Sequence, residues 1–411
     1  MIPVCKPWLP GREKEYVNDA LDTNWISSAG GYINKFETSF SEFCGVKYGV
    51  SCSNGLAALH LAIVALGIGE GDEVIVPTFT MAASVNAIIF TGAIPVLVDA
   101  DKDTYCIDVD KIEEKITDKT KAIMPVHIYG HPCDMDRING IAKKHNLYVV
   151  EDAAEAHGSE YKGKRCGSMS DVGCFSFYAN KILTTGEGGM CVTNNKEVAE
   201  KMMKLRNHAF EPERFVHNEV GFNYRLTNIQ AAIGTAQVEN ADKLVAARRN
   251  VGQRYNRILK NVDSIILPKE KDYAKNIYWM YGVVLNKNIK MSKKQVMERL
   301  RADGVDTRSF FVPMHKQPVY KNKMIKNAPN CEGKFPVSEE IGKNGFYLPS
   351  SSDLSDEEIE EVCTSLKRIL KWYLIRIMQS ITICLIEIKI MVKRCVSWIR
   401  FLKNTLKSLM F

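Results

Sequence analysis

Paired cysteines and a secretory signal are both missing from this 411-residue chain. Its twelve cysteines stand singly, with no C-x-x-C pair and no Cys/His spacing of a zinc site. We therefore expect reduced thiols in a cytosolic protein. Residues 1–16 lack the basic stretch and apolar core of a signal peptide. Through residue 370, no apolar run approaches the roughly 18 residues of a membrane span.

An excess of charge of one sign is also missing from most of the chain. The formal net charge is +7, but residues 371–411 hold eight basic residues and one acidic residue. The first 370 residues are therefore neutral. A neutral body lacks the basic surface of a nucleic-acid-binding protein, so we expect no nucleic-acid partner.

Motifs of several other enzyme classes do not occur. G-x-x-x-x-G-K-[ST], H-E-x-x-H and G-x-S-x-G are absent. The glycines at 67, 69 and 71 follow a predicted helix and do not fit G-x-G-x-x-G, so they indicate a turn and not a dinucleotide site. His127 and His131 are four residues apart, but Gly130 and Pro132 predict a turn there, so we expect a loop histidine near the site and no metal.

Short β-branched runs alternate with amphipathic stretches of helical period, which predicts an α/β fold with a mainly parallel sheet. Predicted strands are 73–77, 94–98, 122–126, 147–151, 173–177 and 189–193, and predicted helices are 56–66, 82–90, 134–145 and 196–207. The alanine-rich residues 229–259 predict one linking helix. A second, smaller unit follows, with an apolar run at 279–285 and helices at 292–303 and from 354 onward, the last with a capping sequence.

Three motifs carry chemistry. Ser53-Asn54-Gly55-Leu56-Ala57 runs from a small polar turn into an apolar helix, whose first N–H groups can hold a phosphate. An ordinary helix cap is the alternative. Asp152 follows a predicted parallel strand, where open α/β sheets place ligands, and it could face a cationic ring nitrogen. Its alternative is again a helix cap.

The third motif centres on Lys181, just past a predicted strand, among aromatic residues and before a glycine-rich turn. Partial burial there would lower the lysine pKa and favour the neutral amine that forms a Schiff base. A solvated surface lysine is the alternative. Together, a phosphate cradle, a carboxylate for a pyridinium nitrogen and a lysine for an aldehyde describe a pyridoxal 5'-phosphate site.

Longer ordered segments carry a family resemblance. They are 71–77, 122–130, 151–156, 184–190 and 221–225. From about residue 25 to 370, the chain resembles the DegT-type sugar-nucleotide aminotransferases, which are fold-type I pyridoxal phosphate enzymes. The resemblance implies a mainly parallel seven-stranded sheet flanked by helices and a smaller α+β C-terminal domain. We expect a large domain at 1–240, a small domain at 241–370 and a tail at 371–411.

The resemblance also implies residue roles. Lys181 would hold the cofactor and shuttle protons, Asp152 would pair with the ring nitrogen, and Glu155 would lie at the ring hydroxyl. The implied cofactor contacts also include Gly55, Leu56, Ala57, Met81, Ser176 and, across a shared homodimer site, Asn223. The implied sugar-nucleotide contacts are Trp25, Ser27, Arg308 and His315.

Two residues depart from the family pattern. Relatives usually have threonine at Leu56, so a side-chain hydroxyl is lost while the backbone amide is kept. Relatives also tend to place an aromatic residue over the cofactor ring where this chain has Met81, whose thioether can still contact a ring. Both departures predict weaker cofactor binding.

The working hypothesis is transfer of an amino group from L-glutamate to C4 of GDP-4-keto-6-deoxymannose, for a surface polysaccharide such as an O-antigen. The alternatives are a dTDP- or UDP-linked keto sugar, a pyridoxal-type sugar dehydratase, which Lys181 disfavours, and a non-catalytic scaffold. A homodimer is expected, with a tetramer left open.

The tail at 371–411 contains no glycine or proline and mixes apolar with basic residues. This composition predicts a basic amphipathic helix able to lie on an anionic membrane surface. Charged residues interrupt its apolar stretch, so it is not a clean membrane span. A non-native extension is the alternative.

Overall fold

A computed structural model describes the backbone of residues 1–213, 215–289, 291–321 and 324–408, and the side chains of these residues except 372–386 and 407–408. The helices are α1 Glu13–Asp22, α2 Gly31–Cys44, α3 Gly55–Ala65, α4 Ala82–Phe90, α5 Met135–His145, α6 Lys196–Leu205, α7 Asn228–Glu239, α8 Ala241–Leu259, α9 Lys293–Ala302, α10 Pro336–Asn344 and α11 Asp356–Ser408.

The strands are β1 Tyr48–Cys52, β2 Glu73–Pro77, β3 Ile94–Val98, β4 Thr120–Ile123, β5 Tyr148–Asp152, β6 Glu160–Tyr161, β7 Lys164–Arg165, β8 Val172–Ser176, β9 Gly189–Thr193, β10 Ile265–Ile266, β11 Ala274–Lys275, β12 Tyr281–Leu285, β13 Arg308–Ser309 and β14 Gly345–Leu348.

The largest sheet has seven strands in the order β1-β9-β8-β5-β4-β2-β3. Neighbours from β8 to β3 pair in parallel, whereas β9 is antiparallel to both β8 and β1. This confirms the predicted mainly parallel seven-stranded sheet. Because the parallel strands end at one edge, the loops after β2, β4, β5 and β8 lie together, where α/β sheets bind ligands.

Helices cover both faces of this sheet, and the strands alternate between the two cores. In β2, Val74 and Val76 point to one core, which takes in α3, α4 and α6. Ile75 points to the other, which takes in α2 and α7. Both sides are apolar because the side chains of a strand alternate between faces, and a parallel sheet is buried on both.

The C-terminal part builds on an antiparallel sheet in the order β10-β12-β14-β13. Its own core packs β12 and β14 against α8, α9 and the start of α11. However, Trp279, Phe310 and Tyr347 belong to the core of the large sheet. The two parts therefore share apolar packing at the site edge, and the predicted domain boundaries stay a prediction.

The predicted linking helix at 229–259 is wrong as a single element. The chain forms α7 and α8, separated at Asn240, whose φ of −111° and ψ of 11° lie outside the helical region. The Asn240 side chain donates to the carbonyl of Ala236 at 3.1 Å. An asparagine competes with the helical backbone in this way, so no glycine or proline was needed to end α7.

The tail is helical as predicted, and α11 continues from the body as one helix of 53 residues. At 1.5 Å per residue it is about 80 Å long. Within the part of the chain that the structure describes, no helix is apolar over a length sufficient to cross a membrane.

Candidate active site

A cavity of ≈ 380 Å³ opens at the edge where the parallel strands end. It gathers residues that the sequence analysis selected from five separate segments. Those lining it are Gly55, Leu56, Met81, Asp152, Glu155, Ser176, Lys181 and Arg308. Each lies at or near the end of a helix or strand, so the sheet and its helices position the whole set.

The start of α3 forms one wall of the cavity. Asn54 caps the helix, its Oδ1 accepting a hydrogen bond from the Ala57 amide at 2.9 Å. The Ala57 amide is thus engaged with Asn54, while the amides of Gly55 and Leu56 have no acceptor among the described residues. Free N–H groups at a helix start fit a phosphate.

Gly55 is required here by close packing. A Cβ at this position would lie 2.7 Å from the Cβ of Ser176 and 3.2 Å from its hydroxyl oxygen. The absence of a side chain therefore brings the helix start against Ser176, so that the hydroxyl and the free amides face the same space. The Ser176 hydroxyl and these amides are therefore placed to hold a phosphate group.

We expect Gly55→Ala to weaken pyridoxal phosphate binding at least about tenfold, because the new methyl group separates α3 from Ser176. A loss of one or two phosphate hydrogen bonds corresponds to about 1.4 kcal/mol or more. Titration of cofactor absorbance measures the affinity. Gly31→Ala is the matched control, because Gly31 also begins a helix and its Cβ would meet nothing within 4 Å. Equal affinity in the two variants would contradict the prediction.

Asp152 ends β5 inside the protein. Its Oδ2 accepts from the Ser84 hydroxyl at 2.7 Å, and its Oδ1 accepts from the Ala154 amide at 3.2 Å. Burial raises the pKa of Asp152, while these donors and Lys181 oppose the rise. A buried carboxylate of this kind fits a cationic partner such as a pyridinium nitrogen, which would restore its ionised form.

The His127 side chain is fixed by hydrogen bonds, one of them to Glu151, the residue before Asp152, so it is not a free loop histidine. His127 Nε2 lies 2.8 Å from Glu151 Oε2, and His127 Nδ1 accepts from the Cys133 amide at 3.0 Å. Glu151 also accepts from the Gly167 and Met169 amides. Burial opposes ionisation of Glu151, but the hydrogen bonds outweigh it and its pKa is lowered.

His127, Glu151 and Cys166 have atoms within 4.8 Å of one another, a spacing that would suit a metal. The hydrogen bonds already occupy both imidazole nitrogens and both carboxylate oxygens of this group, so it serves as a clamp on the end of β5. His131, the second histidine of the turn, contacts the Pro132 carbonyl and the Lys271 amide instead.

Lys181 lines the cavity beside a carboxylate and an indole ring. Its Nζ lies 3.9 Å from Glu155 Oε1 and 3.8 Å from the centroid of the Trp279 ring. Burial lowers the pKa of Lys181, although the carboxylates of Glu155 and Asp152 oppose the shift. A lysine in these surroundings gives up its proton more readily than a solvated one, which an amine nucleophile requires.

Glu155 is fixed by the Tyr129 amide, which donates to its Oε2 at 2.8 Å. Burial raises the pKa of Glu155 to about 7, with Lys181 acting in the opposite direction. The folded protein therefore binds more protons than the unfolded chain between the ordinary glutamate pKa and about pH 7. Stability must fall as the pH rises through this interval.

Glu155→Gln is expected to remove this part of the pH dependence. Between pH 5 and pH 8, the wild-type protein should lose up to about 3 kcal/mol of unfolding free energy relative to the variant. Urea unfolding at both pH values measures it. The exposed pair of Glu160 with Lys275 supplies the control Glu160→Gln, for which we expect no such difference. Parallel pH curves for wild type and Glu155→Gln would contradict the prediction.

Several residues of the cavity carried no signal in the sequence. Trp279, Phe311 and Tyr347 come from the C-terminal part and line the cavity. The Trp279 Nε1 donates to the Asn180 carbonyl at 2.9 Å, which braces the peptide just before the lysine. Only long-range packing brings these aromatic residues to the site, although the apolar run at 279–285 was visible.

Other predicted residues lie outside the cavity. Trp25 and Ser27 are in a loop whose carbonyls accept from Asn228 at the start of α7. Asn223 is exposed and pairs with Asn207. His315 is buried, bonded to the Thr78 hydroxyl at 2.8 Å and stacked on Phe335. The substrate and subunit roles of these residues stay predictions.

Comparison with known proteins gives the family. Residues 9–367 match the DegT/DnrJ/EryC1/StrS aminotransferase family. The chain belongs to this family. It is 46% identical over 367 residues to a GDP-perosamine synthase of Escherichia coli O157:H7, covering 89% of this chain and 97% of the relative. A GDP-perosamine synthase of Caulobacter vibrioides is 45% identical over 371 residues, covering 90% and 98%.

Solved structures agree with this membership of the DegT/DnrJ/EryC1/StrS family. The PLP-form of a putative sugar aminotransferase from Streptococcus pneumoniae superimposes with a TM-score of 0.83 at 27% identity, covering 90% of this chain and 99% of the other. The protein is therefore an aminotransferase that depends on pyridoxal phosphate. The free amides beside Ser176, the buried Asp152 and the lysine of lowered pKa fit that cofactor.

Proposed function

We propose that the enzyme transfers the amino group of L-glutamate to C4 of GDP-4-keto-6-deoxymannose and so forms GDP-perosamine. The observation that carries this proposal is the identity of 46% and 45% to two GDP-perosamine synthases, each covered over nearly its whole length. The reaction would serve assembly of a surface polysaccharide such as an O-antigen, in the cytoplasm.

Pyridoxal phosphate, when bound, supplies an aldehyde for an amine and a ring that accepts the electron pair left when a proton leaves the substrate carbon. Lys181 would hold the aldehyde carbon of the cofactor, and its amine would carry the proton to and from the substrate carbon. Its lowered pKa suits both tasks, since the neutral amine is the base.

Asp152 would hold the protonated ring nitrogen, and the hydrogen bonds of His127 and Glu151 fix the end of β5 that carries Asp152. Glu155 would hydrogen-bond the ring hydroxyl. Ser176 and the amides of Gly55 and Leu56 would hold the phosphate, and the Ala57 amide would join them on release from Asn54. Met81, which lines the cavity, would contact the ring.

The sugar nucleotide enters between the two parts of the chain. Arg308, at the cavity wall, is placed to meet a diphosphate oxygen, because a guanidinium binds phosphate in a bidentate manner. Trp25, Ser27 and His315 contact the nucleotide or sugar in our proposal. Asn223 is exposed and reaches the phosphate in a neighbouring subunit, which makes the active unit a homodimer.

The experiment incubates purified enzyme, pyridoxal phosphate and L-glutamate with GDP-4-keto-6-deoxymannose, and the product is identified by mass and NMR. We expect a 4-amino sugar and 2-oxoglutarate in equal amounts. Parallel reactions contain dTDP- and UDP-linked keto sugars. Turnover of one of these, with none of the GDP sugar, would overturn the substrate and leave the aminotransferase intact.

A further inference from the structure

We propose that residues 387–406 of α11, here called the tail segment, bind the surface of an anionic lipid bilayer. This segment lies beyond residue 367, where the family match ends, and it takes no part in the cavity. It is helical, and each of its side chains is exposed. The proposal concerns where the enzyme works and is independent of its substrate.

Eight of the eleven apolar residues of the tail segment form one stripe, while Ile390 and Phe401 lie on the opposite face and Val396 lies among the basic residues. At 3.6 residues per turn, those spaced by three or four lie on the same helix face. The stripe consists of Ile388, Met391, Val392, Cys395, Trp398, Ile399, Leu402 and Leu406, and it spans about 120° of the helix circumference. Trp398 is 67% exposed and Met391 64%, so the stripe has no cover in the described part of the chain.

Four of the five basic residues of the tail segment form a second stripe beside the first, and Arg394 lies on the far face. Lys389, Lys393, Arg400 and Lys403 follow one another on the neighbouring face, and all are exposed. Glu387 is the only acidic residue between 371 and 411. A helix with an apolar face that includes tryptophan and a flanking lysine- and arginine-rich face lies in the plane of a membrane interface.

Charge decides between a bilayer and a second copy of the chain. Two copies packed along the apolar stripe would bring basic residues of the same sign against each other, with a single acidic residue in each tail to offset them. An anionic bilayer instead places phosphate groups opposite the lysines while the apolar stripe enters the headgroup boundary. Among the residues that the structure describes, no helix is long and apolar enough to cross a membrane.

The test uses the full chain with its cofactor in co-sedimentation with vesicles. One set contains phosphatidylcholine with phosphatidylglycerol and the other phosphatidylcholine alone. We expect binding to the anionic vesicles at least about tenfold stronger than to the neutral ones. Added salt at 1 M should release much of the protein from the vesicles, because the Debye length is then about 3 Å and the attraction between lysines and lipid phosphates is screened.

Two substitutions test the apolar stripe, one placed on it and one placed on the polar face. Leu402→Glu places a charge on the apolar stripe and should weaken vesicle binding at least about tenfold. Asn404→Glu makes the same change of charge on the polar face, so it should bind within about threefold of wild type. Both variants should keep full transaminase activity, which shows that the body is folded, because the tail segment lies outside the cavity.

Three results would overturn the proposal. The first is equal binding of the protein to anionic and neutral vesicles, and the second is an equal loss of vesicle binding in Leu402→Glu and Asn404→Glu. The third is a protein that binds no vesicles and forms a larger oligomer in light scattering, which Leu402→Glu dissociates. The last result would identify a second copy as the occupant of the stripe. A failure of the GDP-sugar reaction leaves these outcomes unchanged, so the two proposals fail separately.

Discussion

Lys181→Ala is expected to reduce the rate of amino transfer about 10³-fold or more. The lysine supplies the only amine that lines the cavity among the described residues, and its buried position beside Glu155 and Trp279 lowers its pKa toward that of a working base. Loss of a positioned proton carrier alone costs 10²–10⁴-fold. Single-turnover conversion of glutamate to 2-oxoglutarate measures the effect.

A small primary amine added to this variant should restore part of the rate, because it can enter the space left by the side chain and act as the base. The control is Lys196→Ala, whose side chain is 70% exposed and pairs with Glu200 on the surface; it should keep the wild-type rate. A Lys181→Ala enzyme that kept wild-type turnover would remove the lysine from the mechanism.

Asp152→Asn is expected to reduce the rate about 10²- to 10³-fold with a smaller change in KM. Asparagine preserves the shape and can still accept from Ser84 or Ala154, but it removes the charge that opposes a cationic ring nitrogen. Removing one partner of a buried charge pair costs about 2–5 kcal/mol. Steady-state kinetics with glutamate and keto sugar separate the loss in kcat from the change in KM.

Ser84→Ala provides the graded comparison. It keeps the Asp152 charge and removes one donor at 2.7 Å. We expect a loss of about tenfold or somewhat more, toward the lower end of the roughly 1.5–3 kcal/mol that one hydrogen bond to a charged group contributes. If Ser84→Ala lost as much rate as Asp152→Asn, the packing at this carboxylate would matter and its charge would not.

Strands with a clear apolar run were predictable from the sequence. β2, β3 and β9 begin and end where the pattern placed them, because β-branched residues are bounded there by turn residues. β1 was missed: its Tyr48-Gly49-Val50-Ser51-Cys52 sequence has no such run. Pairing with β9 and the bonds of Glu37 to Ser51 fix it instead, and such contacts between distant residues leave no local pattern.

The chemical centre of the site was predictable for a similar reason. Asp152 and Ser176 end parallel strands of one sheet and Lys181 follows the second of them, so the topology alone brings them to one edge. The contacts that tune them were not predictable, because Trp279 and Tyr347 arrive from about 100 or more residues away in the chain. The cap at Asn54, the alternative that the sequence offered for this turn, is present in the structure and engages the Ala57 amide.

Because Trp279 contacts Lys181, the tryptophan fluorescence of the protein should report whether the cofactor is bound. The chain has five tryptophans, and this one lies with its ring 3.8 Å from the lysine nitrogen and 3% exposed. Light absorbed by the buried indole can pass to any chromophore attached at that nitrogen. Indole emission should therefore dim as cofactor loads and brighten as it leaves, which reports occupancy in real time without a label.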